Sequence, residues 1–301
     1  MAKNLRSARQ GFNWQAFWKA VISVIIQPGG RQVMFWGARN HKITINGYET
    51  DFISFGKGDK NLIIIPGLGD GIKTVKGMAV PLAFMYRIFA KKYKVYVFSR
   101  KNNLPEVYST REMAKDLHDA MQELGIQYAD VFGVSMGGMV AQYLAIDYPI
   151  SVHKLILAVT LAKQNNTIQN SCRKWIALAD AGDYTGLMLD TAQKSYTDSY
   201  LHKNRLMLGL SSKIGKPGDF KRFTTMAQAC MSHNAYDELY KIKCPVLVTG
   251  GKQDKIVTCR ASQEIAGKIQ DSRLKIYEEY GHALYEEADG FNNMVLEFLD
   301  I

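Results

Sequence analysis

One serine of this chain is set among glycines. Residues 131–140 read VFGVSMGGMV, with Gly133 two residues before Ser135 and Gly137 two after. Glycine inside regular structure costs about 0.5–1 kcal/mol relative to alanine, so Gly133, Gly137 and Gly138 point to a requirement of the backbone. An ordinary turn is one such requirement. A sharper one is G-x-S-x-G, where a strand ends, the chain turns with the serine at the apex and a helix begins. The chemistry of that arrangement is attack by a serine oxygen on a carbonyl. It calls for a base to take the proton, a carboxylate to orient the base, and N–H groups to receive the developing oxyanion.

Six histidines could serve as the base. His282, in EEYGHALYEE, follows the last strand pattern and so falls at the same carboxyl edge of a parallel sheet as Ser135. His41 lies in a basic N-terminal stretch, His118 inside an amphipathic helix, His153 at the start of a strand, and His202 and His233 in an inserted region. These five read as ordinary surface or core histidines. The carboxylate is Asp254, in PVLVTGGKQDKIV after the penultimate strand. The chain order serine, aspartate, histidine is one of the known orders of such triads. For the oxyanion, the residue after the nucleophile, Met136, supplies one N–H. The loop PGLGDG (66–71) supplies another from Leu68, with Gly67 and Gly69 shaping the turn. That loop lacks the G-K-[ST] ending of a P-loop.

The elements that must position these residues are legible in outline. ITINGYETDFISF (43–55) reads as two strands around Asn46-Gly47, and NLIIIPG (61–67) as a strand buried on both faces. A helix is expected around 74–91, a strand over 93–99, and a helix over 110–124 opened by the capping box Ser109/Glu112. Strands follow at 129–135, 154–160, 245–251 and 273–279, and helices at 137–147, 259–269 and 288–299. Alternation of this kind implies a mostly parallel sheet with helices on both faces. The interval 161–235 breaks the rhythm. It has no clear strand and carries helical apolar residues, among them Trp175, Leu178, Met188, Leu206, Met207, Leu210 and Met226. It reads as a helical cap inserted over the carboxyl ends of the strands, where ligands of open α/β sheets bind. The expected organisation is an N-terminal amphipathic helix and linker over 1–42, a core over 43–160 and 236–301, and the cap over 161–235.

Hydrophobic residues make up 47% of the 301, enough for a full globular core, and the formal net charge is +10. No helix-turn-helix, zinc-finger or RNP-like motif turns that charge into a nucleic-acid reading. Cys172, Cys230, Cys244 and Cys259 form no C-x-x-C pair, so reduced thiols in a cytoplasmic setting are expected and no metal site or cofactor is implied. In the first thirty residues, the apolar run over 20–26 is too short to span a membrane, which takes about 20 apolar residues. Trp14, Phe17, Trp18, Val21, Ile22 and Ile25 instead share one helical face. Residues 12–26 are read as docking on the protein's own body, as a self-association surface, or as a peripheral membrane contact.

The four motifs PGLGDG, GVSMGG, GGKQD and YGH, in that order, resemble those of the α/β-hydrolase superfamily. The likeness is to its small cap-bearing serine hydrolases, the carboxylesterase and enol-lactonase branch, and runs from about residue 43 to the C-terminus. Two positions depart from the usual pattern: Pro66 and Val134 stand where many relatives have histidine. Serine at position 135 separates the chain from relatives that dehalogenate or open epoxides through aspartate. The resemblance implies an α/β-hydrolase fold and hydrolysis of a small-molecule carboxylic ester through an acyl-enzyme. Lactone opening, carbon–carbon bond hydrolysis and peripheral lipid-ester hydrolysis are the alternatives. A non-enzymatic binding protein is disfavoured because all three triad residues are present.

Overall fold

Asn46 and Gly47 fold the chain back on itself. Their φ angles of 48° and 83° are the pair that a two-residue type I′ hairpin demands, and they join β1 (Arg39–Ile45) to β2 (Tyr48–Phe55) with Ile45 opposite Tyr48. The computed structural model describes residues 35–211 and 215–301. Residues 12–26, read above as an amphipathic helix, lie outside them. Among the described residues no helix is long and apolar enough to cross a membrane.

Six further strands complete the sheet: β3 (Lys60–Ile65), β4 (Tyr93–Lys101), β5 (Ala129–Val134), β6 (Val152–Ala158), β7 (Val246–Gly251) and β8 (Ser272–Tyr277). Their order is β1-β2-β4-β3-β5-β6-β7-β8. Only β2 runs against its neighbours; the pairings from β4 to β8 are parallel. The unbroken apolar run of β3 follows from cover on both sides. Ile63 and Ile65 pack into one core, and Leu62 and Ile64 into the other.

The first core holds α2 (Thr110–Glu123), whose Ser109/Glu112 capping box is present in full, and α3 (Met136–Asp147), buried nearly all round. A helix apolar on every side is an interior helix. The expected helix over 74–91 is broken into pieces. After Gly77, at φ 81°, α1 spans only Ala79–Met85, and a 3-10 turn, Arg87–Lys91, follows. Pro81 is tolerated because it sits in the first turn, where its missing N–H leaves no bond unmade. The helix expected over 288–299 begins later, as α10 (Phe291–Asp300), because Gly290 caps it at φ 75°, and a single turn, α9 (Leu284–Glu287), precedes it. Among the described residues, four α-helices lie between β6 and β7, α4 (Asn166–Asp180), α5 (Tyr184–Ser195), α6 (Asp198–Ser211) and α7 (Lys221–Ser232), followed by a 3-10 helix, Tyr236–Lys241. Trp175 and Met226 are buried as their spacing suggests, but Leu206 is exposed. The helix α8 (Cys259–Ala266) packs on β7 and β8.

A histidine with no catalytic neighbour lies where α7 ends. His233 is buried; its Nδ1 is 2.8 Å from Thr110 Oγ1 and its Nε2 is 3.3 Å from Gln142 Oε1. The Gln142 amide nitrogen already donates to Leu161 O at 3.0 Å. Its oxygen must therefore accept, which puts the proton on Nε2 and leaves Nδ1 to accept from the threonine hydroxyl. Burial pushes the imidazole down to about 3. An unfolded histidine titrates near ~6.5. The stabilisation from keeping His233 neutral is thus complete above that value and fades as pH falls toward about 3. Urea unfolding at stepped pH should show His233→Gln losing stability less steeply than wild type between the two values. Parallel slopes would assign the acid sensitivity to other groups.

Candidate active site

Three loops at the carboxyl edge of the sheet meet at Ser135. The serine ends β5 at φ 53°, ψ −119°, a left-handed backbone that a non-glycine residue adopts only where the surroundings hold it. Its N–H donates to Ala158 O at 2.8 Å. The flanking glycines now have a reason. A Cβ on Gly133 would lie 2.6 Å from Gly137 O, and one on Gly137 would lie 1.9 Å from Ile65 O. Any side chain there would push α3 off the strands and open the turn.

Asp254 is in the turn after β7, and its side chain is 1% exposed. Oδ1 accepts from the N–H groups of Ile256 (2.7 Å) and Val257 (2.9 Å), and Oδ2 accepts from His282 Nδ1 at 2.8 Å. Burial opposes the charge. The imidazole and the two N–H groups outweigh it and hold the carboxyl below its ordinary value. His282 follows β8, and its Nε2 is 2.9 Å from Ser135 Oγ. With Nδ1–H given to Asp254, Nε2 carries the lone pair and the serine hydroxyl donates to it. The next residue of that loop, Ala283, donates its N–H to Ser195 O at 2.8 Å, which ties the loop to the end of α5.

Leu68 is the first residue of a single 3-10 turn, Leu68–Gly71, directly after β3. The turn lies against the serine: a Cβ on Gly67 would be 3.3 Å from Ser135 Cβ. Met136 is the first residue of α3, where N–H groups have no partner within the helix. The two N–H groups expected to receive an oxyanion thus belong to the turn beside the serine and the helix after it. Gly69 faces open space and has no crowding to explain it.

The other histidines are engaged elsewhere. His41 pairs with Ser54, His118 stacks on Tyr148, His153 meets Asp130, His233 is in the core, and His202 is exposed on α6. One buried cluster at this edge went unnoticed in the sequence: Asp70, Arg100 and Arg222, with Asp70 Oδ2 2.8 Å from Arg222 Nη2 and 3.9 Å from Arg100 Nη1. Its one sequence signal was a charged residue, Arg100, just after the apolar, buried stretch Val95–Phe98 of β4.

The Ser135–His282–Asp254 line is an arrangement able to draw a proton from the serine hydroxyl and hold the resulting imidazolium. A family model described as alpha/beta hydrolase fold matches residues 60–289. A 2-hydroxy-6-oxononadienedioate/2-hydroxy-6-oxononatrienedioate hydrolase of Comamonas testosteroni is 30% identical over 194 residues, covering 62% of this chain and 68% of that protein. The enol-lactonase from Burkholderia xenovorans is similar in structure, with TM-score 0.74 and 20% identity, over 87% of this chain and all of that one. An esterase from Thermogutta terrifontis gives TM-score 0.70 and 20% identity, over 87% of this chain and 98% of its own. With its sheet order, its elbow and a family model matched across most of its length, the chain belongs to the α/β-hydrolase fold family.

Proposed function

We propose that this protein is a serine hydrolase that cleaves carboxylic esters of small to medium apolar acyl groups through an acyl-enzyme. The observation that carries the reading is the pair of hydrogen bonds at His282, 2.9 Å to Ser135 and 2.8 Å to Asp254. Ser135 Oγ attacks the carbonyl carbon while His282 Nε2 takes the proton. The N–H groups of Leu68 and Met136 receive the charge on the carbonyl oxygen. His282 then protonates the departing alcohol, and Asp254 stabilises the imidazolium between the two transfers. Water, deprotonated by the same histidine, releases the acid and restores the serine. The helices over 161–235 act as a cap that covers this edge. Apolar residues of these helices lie against the end of the turn: a Cβ on Gly71 would meet Phe223 and Met226. Such a roof suits an apolar acyl group better than a sugar or a peptide.

The similarity to the Comamonas hydrolase favours a second reading, in which the same serine and histidine act on an unsaturated keto acid. One assay separates the two. Purified protein is given p-nitrophenyl esters of graded acyl length, beside a lactone and the dienedioate. Turnover that peaks at a short or medium acyl chain is the expected result. A folded protein that leaves every ester intact and consumes the lactone or the dienedioate would overturn the ester reading.

A further inference from the structure

Both carbonyls that flank Gly67 are tied, and the ties lead to the inserted helices. Arg100 Nη2 donates to Pro66 O at 2.7 Å, and the N–H of Asp70 donates to Gly67 O at 3.3 Å. In a trans peptide the C=O and N–H point in opposite directions. Holding Gly67 O therefore sets the direction of the Leu68 N–H, the donor of the oxyanion turn.

Asp70 is itself held on every side. Its carboxylate accepts from Ser99 Oγ (2.5 Å), from the N–H of Arg100 (3.0 Å) and from Arg222 Nη2 (2.8 Å). Its carbonyl accepts from Arg222 Nε at 2.9 Å. The same guanidinium reaches Lys101 O at 2.6 Å through Nη1 and Arg100 O at 3.1 Å through Nη2. One planar group thus fastens the turn after β3 to the end of β4, a task for which the arginine fork is built and a lysine point charge is not. Arg222 is the second residue of α7, far from the turn in sequence. The helix can sit so close because Gly71 has no side chain: a Cβ there would lie 2.9 Å from Phe223 Cα. Two guanidinium groups face one carboxylate, so the buried cluster carries a net positive charge beside the site where negative charge develops. The side chains of Asp70 and Arg100 are 1% and 3% exposed and that of Arg222 is 16% exposed, so solvent reaches the cluster only at Arg222.

We propose that Arg222 is a positioning residue for the oxyanion turn, holding Asp70 and through it the Gly67–Leu68 peptide, so that the Leu68 donor is set only when α7 is docked. Arg100 fixes the preceding peptide in the same way. The inserted helices are then part of the catalytic geometry as well as a cover. This inference rests on the acyl-transfer reading above, and the experiment tells their failures apart.

Wild type, Arg222→Gln and Arg222→Lys are compared on a p-nitrophenyl ester and on an aryl trifluoromethyl ketone, whose adduct with serine places an oxyanion in the same turn. A misplaced donor should lower kcat by ~10²-fold with KM little changed. Affinity for the ketone should fall by a matching factor. Arg222→Lys should be affected in the same direction, and added guanidinium should restore Arg222→Gln in part. Arg222→Lys carries the test if the glutamine variant is unfolded by circular dichroism. A folded variant with unchanged kcat and ketone affinity, or with a loss confined to KM, overturns the positioning role alone. Wild type with neither ester turnover nor ketone binding overturns the acyl-transfer reading, and the positioning role with it.

Discussion

Replacing Ser135 with alanine is expected to lower kcat for an ester by ~10⁶-fold, leaving only the residual acceleration of the oxyanion donors and of binding. The size follows from covalency, because the proposed acyl-enzyme forms on the Ser135 oxygen. His282 then activates water alone, a slower route. KM should change little, since the hydroxyl contributes to the transition state and not to holding the ester. The fold should survive because the Ala158 bond is made by the backbone of residue 135. The left-handed φ of 53° remains under alanine and is relieved by glycine. Ser135→Gly should therefore be more stable than Ser135→Ala by ~1 kcal/mol while equally inactive. Steady-state kinetics and thermal melts of the two variants check both statements. An alanine variant retaining a tenth of wild-type turnover would remove Ser135 as the nucleophile.

Asp254→Asn should be nearly as damaging, by ~10⁴-fold in kcat, and for a reason visible in its partners. Oδ1 faces two N–H donors, those of Ile256 and Val257. An asparagine that turned its NH₂ toward them would oppose donor to donor in a buried place, at a cost of about 1–3 kcal/mol. Its oxygen must therefore stay there, and the NH₂ meets His282 Nδ1. That nitrogen then has to accept, so the imidazole proton moves to Nε2, which faces Ser135. The histidine keeps its position and loses its basicity toward the serine. The same substitution removes an ionised group whose folded pKa lies below its ordinary value. The stability from that ionisation is present above the ordinary carboxylate range and fades as pH falls through the folded value. Kinetics on esters at neutral pH test the tautomer argument, and kcat within tenfold of wild type would refute it.

The legible parts of the fold were those with a local cause. Asn46-Gly47 accepts positive φ at low cost, so the hairpin was readable without its partners. Ser109 and Glu112 satisfy each other's backbone N–H groups, so the start of α2 was readable too. The unbroken apolar run of β3 announced cover on both faces because its side chains alternate between two cores. The helix expected over 74–91 failed because its apolar residues are spread over a loop, a short helix and a 3-10 turn that share one buried surface. Period alone does not distinguish these when each piece packs on the same sheet.

The sequence by itself determined three points along the chain: a serine between glycines, an aspartate and a histidine each following a strand. Strand order places the ends of parallel strands along one edge, so residues 254 and 282 were bound to be near residue 135 in direction, whatever their spacing. Only the tertiary structure decided their contact, since hydrogen bonds of 2.8 and 2.9 Å depend on how three loops pack together. It also decided what holds the turn after β3. Asp70 and Arg222 are 152 residues apart in sequence, in a loop and a helix with no shared motif. A guanidinium that serves four backbone carbonyls and a carboxylate has no local pattern to betray it, because each acceptor is supplied by the fold.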